Sequence, residues 1–520
     1  MAGDRADVLV VGGGLGGVAA ALAAAEAGCS VTLTEETDWL GGQLTAQAVP
    51  PDEHRWIERS GCTARYRRLR DGIRDHYRAW YPLTDAARAR RRLNPGLAAV
   101  TGLGHEPRVA LAVVEAMLAP HRGAGRLRVL DRHAPAAADV DGDRLRAVAL
   151  ADLEDGGERV VAADWVVDAT ETGELLALAG AEHVTGFESR EDTGEPHAPD
   201  RAQPLNMQPV TVCFALDHLP GRDQTIDRPH AYGRWRGRLS WVAPDPPTLR
   251  PVTRTFTPNP DDEPAGDAAD TGDRELWRYR RIAARRNFTP GAYPSDVTLV
   301  NWPQSDYAEG PICGVPADEA ARHVEGARQL ALSLLYWLQT EAPRDDGGTG
   351  YPGLRLRGDV VGTRDGLAKR PYVRESRRIR AERTVVEQDL AHDVRGDRGA
   401  VRYPDSVGVG HYRIDLHPST GGDPYVDLAA CPFELPLGAL VPVRLDNLLP
   451  GAKNIGTTHI TNGCYRLHPV EWNVGEVAGR LAAFCAANRA VPRQVRARPR
   501  LLARFQATLA REGVQLRWSP

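Results

Sequence analysis

Apolar positions along the chain fall into short β-branched runs and longer helical stripes, and their alternation predicts an α/β protein. Residues 7–11 form a β-branched run, GGGLGG follows, and residues 18–27 are an alanine-rich segment of good helix propensity closed by Gly28. Residues 30–34 predict a second strand, so strand, turn, helix and strand fit within about 30 residues as a βαβ unit. Between residues 65 and 81, Tyr66, Leu69, Ile73, Tyr77 and Trp80 recur at helical spacing. The opposite face is nearly all arginine and, with RARRR at 88–92, reads as a solvated basic surface. Segments 127–131, 145–151, 159–162 and 165–169 predict strands between Asp/Gly turns, a meander returning to the first layer. Residues 210–216 are strongly β-prone, and PNPDDEPAGDAADTGD at 258–273 reads as an acidic surface loop. A long helix is predicted over 318–340, strand-like pieces at 354–361, 408–416 and 433–443, and closing helices at 469–487 and 498–510.

A chain of 520 residues exceeds what one core supports, which favours two domains. The formal net charge of −4 removes any global attraction to nucleic acid or anionic membrane. No run approaches the roughly 18 apolar residues of a membrane span, and the amino end carries Asp4 and Asp7 rather than basic residues. The expectation is a cytoplasmic protein with a small-molecule substrate, no nucleic-acid or membrane partner, and homo-oligomerisation left open. The seven cysteines are odd in number and scattered without a CxxC pair, so neither a disulfide framework nor a metal site is expected.

Chemistry enters at the glycines. Gly12, Gly14 and Gly17, with Gly16 between, satisfy GxGxxG directly after a strand and before a helix. The first permits the tight turn, the second admits a pyrophosphate to the backbone, and the third lets helix and strand close up. Glu35 ends the second strand 18 residues past Gly17, where a carboxylate accepts from both hydroxyls of an adenosine ribose. GTGYPG at 348–353 fits the same spacing, but Pro352 and the lack of a following helix make it a loop.

Four further stretches carry a resemblance. TEETDWLGGQLT (34–45) holds Gly42 and Gln43, VVDATETGELLALAG (166–180) holds Thr170, and GLAKRPYVRESRRI (366–379) and residues 435–479 follow. Together they resemble the FAD-dependent oxidoreductases of the glutathione reductase and fumarate reductase superfamily. The resemblance implies FAD and a Rossmann-type FAD-binding domain, a parallel sheet plus β-meander, assembled from residues 1–200 and 440–490. It also implies an inserted mixed α+β substrate domain over 201–439 and a helical tail over 491–520.

Pro469 fits the first turn of a helix whose positive N-terminus suits the flavin pyrimidine edge, and Gly475 and Gly479 on one face permit close approach to the first helix. Gly451, Asn454, Asn473 and Gly475 are the candidates there. For substrate chemistry the candidates are His459, Arg466 and His468, joined by Arg374. An imidazole titrates near neutrality and takes a departing proton, and an arginine fork holds a carboxylate or enolate. An Arg374–Glu375 ion pair, a capping role for His468 and a merely buried Cys464 stay open. The implied reaction is hydride transfer from a small organic molecule to flavin N5, in bacterial biosynthetic tailoring. An electron-transfer subunit or a non-redox flavoprotein are the alternatives.

Overall fold

A computed structural model describes residues 4–245, 249–260 and 275–518. Most of the acidic stretch at 258–273, from residue 261 onward, lies outside them. The opening unit is β1 (Asp4–Val11), α1 (Leu15–Glu26) and β2 (Val31–Glu35), with β1 and β2 parallel through Val8–Val31, Leu9–Thr32 and Val10–Leu33. Next come α2 (Ala64–Trp80), α3 (Pro107–Gly123), β3 (Leu127–Asp131), β4 (His133–Asp141), β5 (Arg144–Asp152) and β6 (Glu158–Asp168). The strands lie in the order β3-β2-β1-β6-β5-β4, with β3, β2, β1 and β6 parallel and β6, β5 and β4 antiparallel. This is the parallel sheet plus meander that the resemblance implies.

Sequence patterning split β6 into two strands. It runs straight through because one edge bonds β1 continuously while the other takes β5 over Glu158–Ala162. β4 escaped the pattern because HAPAAADVD is poor in β-formers. It is held as a strand by its ladder to β5. α3 was missed too, although Pro107 opens it and Val109, Ala110, Val113, Val114 and Leu118 bury one face.

The basic face of α2 is a correction. Arg70 and Arg74 are buried, 1% and 3% exposed, and their guanidinium groups pair with Glu53 and Glu58. Arg65 reaches Glu26, Glu476 and Glu512. These ion pairs fasten α2 to its neighbours, where a solvated face would leave it free.

The middle of the chain builds an antiparallel sheet from β7 (Phe214–His218), β8 (Arg281–Ala283), β9 (Val297–Val300) and β10 (Leu354–Leu356), in the order β8-β9-β7-β10. The long α4 (Ala317–Thr340) packs with it around a second apolar cluster that includes Phe214, Trp277, Trp302 and Leu334. The chain then returns to the first layer, since β11 (Leu448–Pro450) pairs with β6 at Val166–Asp168, parallel to it. The short α5 (His459–Tyr465) and the long α6 (His468–Asn488) follow.

α6 lies against α1 almost backbone to backbone. A Cβ on Gly475 would sit 1.9 Å from the Gly16 carbonyl oxygen, and one on Gly479 2.1 Å from that of Ala20. The approach that glycines on one face of this helix predict is therefore made. Among the described residues no helix is long and apolar enough to cross a membrane, and no group of residues could hold a metal ion.

Candidate functional site

The turn after β1 opens on a cavity. Of the residues singled out in the sequence, Gly12, Gly14, Glu35, Gly42 and Thr170 line it, together with Glu171 and Arg370. Gly12 stands at φ +100°, and a Cβ there would strike the Ala169 carbonyl at 2.4 Å, so only glycine makes this turn. Gly17 has no room either, with its Cβ 1.9 Å from the Gly12 carbonyl. Gly14 differs. A Cβ there would meet only a carboxylate oxygen of Glu171 within 3 Å, so its backbone faces the cavity.

Charged side chains crowd this cradle. Lys453, 2% exposed, donates to Glu171 at 2.6 Å and to Glu471 at 3.2 Å, and Glu471 accepts from the Gly16 N–H at 3.3 Å. Carboxylates therefore lie at the positive end of α1, the place where that end holds anions. Glu171 Oε1 and Gln43 Oε1 are buried without a partner among the described residues. Glu35 is 8% exposed; burial raises its pKa to about 7, against the donors from Thr37 that lower it. An open glycine backbone at the N-terminus of α1 and a buried acid at the end of β2 fit a dinucleotide, its pyrophosphate on the turn and its ribose at Glu35.

The other cofactor candidates brace this cradle. The Gly451 N–H and Asn454 Nδ2 both donate to the Asp168 carbonyl, at 2.7 and 2.9 Å, fixing the loop after β11 to the end of β6. Asn473 donates to the Val407 carbonyl, and Gly16 and Gly475 form the α1–α6 contact. Gln43 is fully buried and donates from Nε2 to the Arg466 carbonyl at 3.1 Å and to the carboxylate of Glu471.

Arg466 leads to a second cavity, lined by five arginines and four tyrosines together with Asp52, Asn301, Asp415 and His417. The two cavities are lined by neighbouring stretches of chain: Ala46 and Gln47 belong to one and Asp52 to the other, Arg370 to one and Tyr372 and Arg374 to the other. Arg466 donates to the Tyr372 hydroxyl at 2.7 Å and to Asp415 at 2.9 Å. Arg374 pairs with Asp306 at 2.9 Å and not with Glu375, which is bound to Arg378 and His459.

The histidines separate. His459 lines neither cavity. It is 1% exposed, its ring lies 3.7 Å from that of Phe187, and Nδ1 meets Glu375. His468 also lines neither, and its Nδ1 accepts the backbone N–H of Asp52 at 3.0 Å. Burial lowers its pKa to about 3, leaving the ring neutral. His417 does line the second cavity, with Nδ1 at 2.5 Å from Asp306 and Nε2 at 3.5 Å from Asp415. Burial and Arg374 push its pKa down, but the two carboxylates outweigh them and the net shift is upward. The sequence reading passed over His417 because LHPST belongs to no motif and its acidic partners lie elsewhere in the chain. Cys464 is fully buried, and its thiol points at the Thr461 carbonyl.

A family model described as FAD dependent oxidoreductase matches residues 7–509. The chain belongs to that family. Its cofactor is FAD, and the cradle lined by Gly12, Gly14 and Glu35 carries the glycine turn and terminal acid that a dinucleotide calls for. Among solved structures, it is similar to the glycerol-3-phosphate dehydrogenase from Bacillus halodurans complexed with FAD, at 16% identity over 41% of this chain and 40% of that one, with a TM-score of 0.25. It is also similar to the myxobacterial chondrochloren halogenase CndH, at 17% identity over 43% and 45% with a TM-score of 0.23. A third is CabE, an aromatic hydroxylase from angucycline biosynthesis, at 16% identity over 42% and 38% with a TM-score of 0.25. The alignments thus span less than half of each of these proteins. No curated protein matches the chain.

Proposed function

We propose that this flavoprotein removes a hydride and a proton from a small organic substrate held in the cavity behind Arg466. The observation that carries this reading is the double attachment of Gln43. Its side chain is hydrogen-bonded both to Glu471, at the mouth of α1, and to the backbone of Arg466, whose guanidinium group lines the second cavity. Cofactor cradle and substrate cavity are thereby held in fixed register, as hydride transfer demands.

FAD, once bound, supplies a two-electron acceptor. The chain's own residues do the rest. Arg374 and Arg466 stand in the cavity wall with their forks fixed by Asp306 and Asp415, and they orient the substrate. Tyr372, Tyr412 and Tyr425 narrow the space and exclude water. The departing proton goes to His417 Nε2 while Nδ1–H stays on Asp306, an imidazole–carboxylate pairing suited to general-base work. His468 acts one layer back, positioning Asp52, which holds Arg280 by both of its terminal nitrogens.

The test is anaerobic mixing of the FAD-loaded protein with panels of small alcohols, amines and acids while the visible flavin band is followed. Bleaching by a substrate, and its slowing in Arg466→Gln at unchanged flavin content, are expected. A panel of wide chemistry that leaves the band untouched while dithionite bleaches it would count against the reading.

A further inference from the structure

The second cavity has a one-sided set of unmet hydrogen bonds. Arg280, Arg374 and Arg466 each keep a buried Nε–H without an acceptor among the described residues, and the Nδ2 of Asn301 on the same walls is likewise unpartnered. Among the described residues no wall acceptor is buried without a donor. Unpaired N–H groups on buried cations are costly, and these four collect in the walls of one cavity, just beneath its surface.

The arginines are also immobilised. Arg280 is clamped by both oxygens of Asp52 at 3.0 and 3.2 Å, Arg374 by Asp306 and the Thr211 hydroxyl, both at 2.9 Å, and Arg466 by Asp415 and the Tyr372 hydroxyl. The carboxylates therefore hold one edge of each guanidinium and leave Nε over. His417 lies between Asp306 and Asp415, one ring nitrogen toward each.

We propose that the cavity recognises its substrate by a carboxylate group, which accepts hydrogen bonds from Arg280, Arg374, Arg466 and Asn301. This rests on the reading of the cavity as the substrate site. A carboxylate offers about four acceptor positions and no donor, whereas a carbonyl or hydroxyl offers about two and an amide brings donors of its own. Charge-assisted bonds to arginine are the stronger kind. The tyrosine rings on the same walls cover the apolar remainder of the molecule.

The experiment titrates the FAD-loaded protein with benzoate, and separately with benzamide and benzyl alcohol, reading the visible flavin spectrum and the melting temperature. Benzoate should perturb the spectrum and raise the melting temperature saturably, with the neutral compounds about tenfold weaker or more. Asn301→Asp, near-isosteric and with no existing Nδ2 bond to lose, should weaken benzoate by about tenfold or more. Arg374→Gln should do the same, and the Asn301 variant carries the test if that protein fails to fold. Equal binding of benzamide and benzoate, or full benzoate affinity in Asn301→Asp, would overturn the proposal.

The two readings fail separately. Neutral alcohols that bleach the flavin while carboxylates neither bind nor bleach leave the oxidoreductase reading standing and remove this one. Benzoate binding as expected, with no compound of any class bleaching the flavin, supports the carboxylate site and counts against hydride transfer there.

Discussion

The side chain of Gln43 is tied to the backbone of Arg466, 423 residues along the chain, by a buried hydrogen bond of 3.1 Å from Nε2 to the carbonyl oxygen. The same nitrogen donates to Glu471, and no other side chain could serve both acceptors from this loop without an amide or a charge. Gln43→Leu should leave the carbonyl and the carboxylate short of a donor, at a cost of about 1–3 kcal/mol. Denaturant melts of the apoprotein would show the loss, and FAD titration of the same variant should show weaker binding. A variant with parental stability and affinity would mean that the two cavities are registered by other contacts.

Two glycines that look alike in sequence should behave differently. An alanine at Gly475 places Cβ 1.9 Å from a backbone carbonyl of α1, which only separation of two helices relieves, so Gly475→Ala should destabilise the apoprotein by about 3 kcal/mol. An alanine at Gly14 meets the movable Glu171 carboxylate at 2.7 Å and otherwise open space. Gly14→Ala should therefore melt near the parent yet bind FAD about tenfold or more weakly, because its methyl occupies the pyrophosphate approach. Parallel thermal melts and FAD titrations distinguish the two outcomes.

What the sequence made legible was local. The βαβ unit could be read because Gly12, Gly14, Gly17 and Glu35 lie within one strand–helix–strand stretch, where the glycines answer backbone requirements and the acid a ribose, at spacings the sequence itself shows. The observed β1 and α1 begin three residues before the patterned ones, where Asp4 and Leu15 extend them. The second cavity was illegible for the opposite reason. Asp52, Arg280, Asn301, Arg374, His417 and Arg466 come from separate segments, and no spacing relates them until the fold closes. Patterning did point to Arg374 and Arg466 through their motifs, but it gave His459 and His468 the same standing as each other, and only packing distinguishes a ring stacked on Phe187 from one that braces Asp52. The arginines of α2 misled because their glutamate partners lie outside the helix.

Glu35 gives a pH dependence with a definite sign. Its folded-state pKa, raised to about 7 by burial, exceeds the ordinary value of 4.5, so the folded apoprotein keeps the group neutral where the unfolded chain ionises it. The apoprotein contribution is fully present below about pH 4.5 and is lost as pH rises through about 7. Ribose hydroxyls donate to the carboxylate form, so FAD affinity should run the other way, rising with pH through about 7 and releasing a proton on binding. Calorimetric titrations in buffers of different ionisation enthalpy measure both effects. Glu35→Gln should flatten them, and an unchanged pH profile in that variant would place the coupled proton elsewhere.

His417 makes the complementary prediction for turnover. Asp306 and Asp415 face its two nitrogens, Arg374 opposes them, and the Tyr425 ring lies 4.9 Å away. The balance raises the imidazole above its usual 6.5, and only the neutral ring can accept a proton. The rate of flavin reduction by substrate should therefore climb with pH through a value above 6.5, the reverse of what a group that must be protonated would give. His417→Asn should remove that limb and slow reduction by about a hundredfold or more, with flavin content retained. Stopped-flow reduction measured across the pH range decides it: a limb that survives in His417→Asn assigns the proton to another group, and the Tyr372 hydroxyl, held by Arg466 at 2.7 Å, is the next to replace.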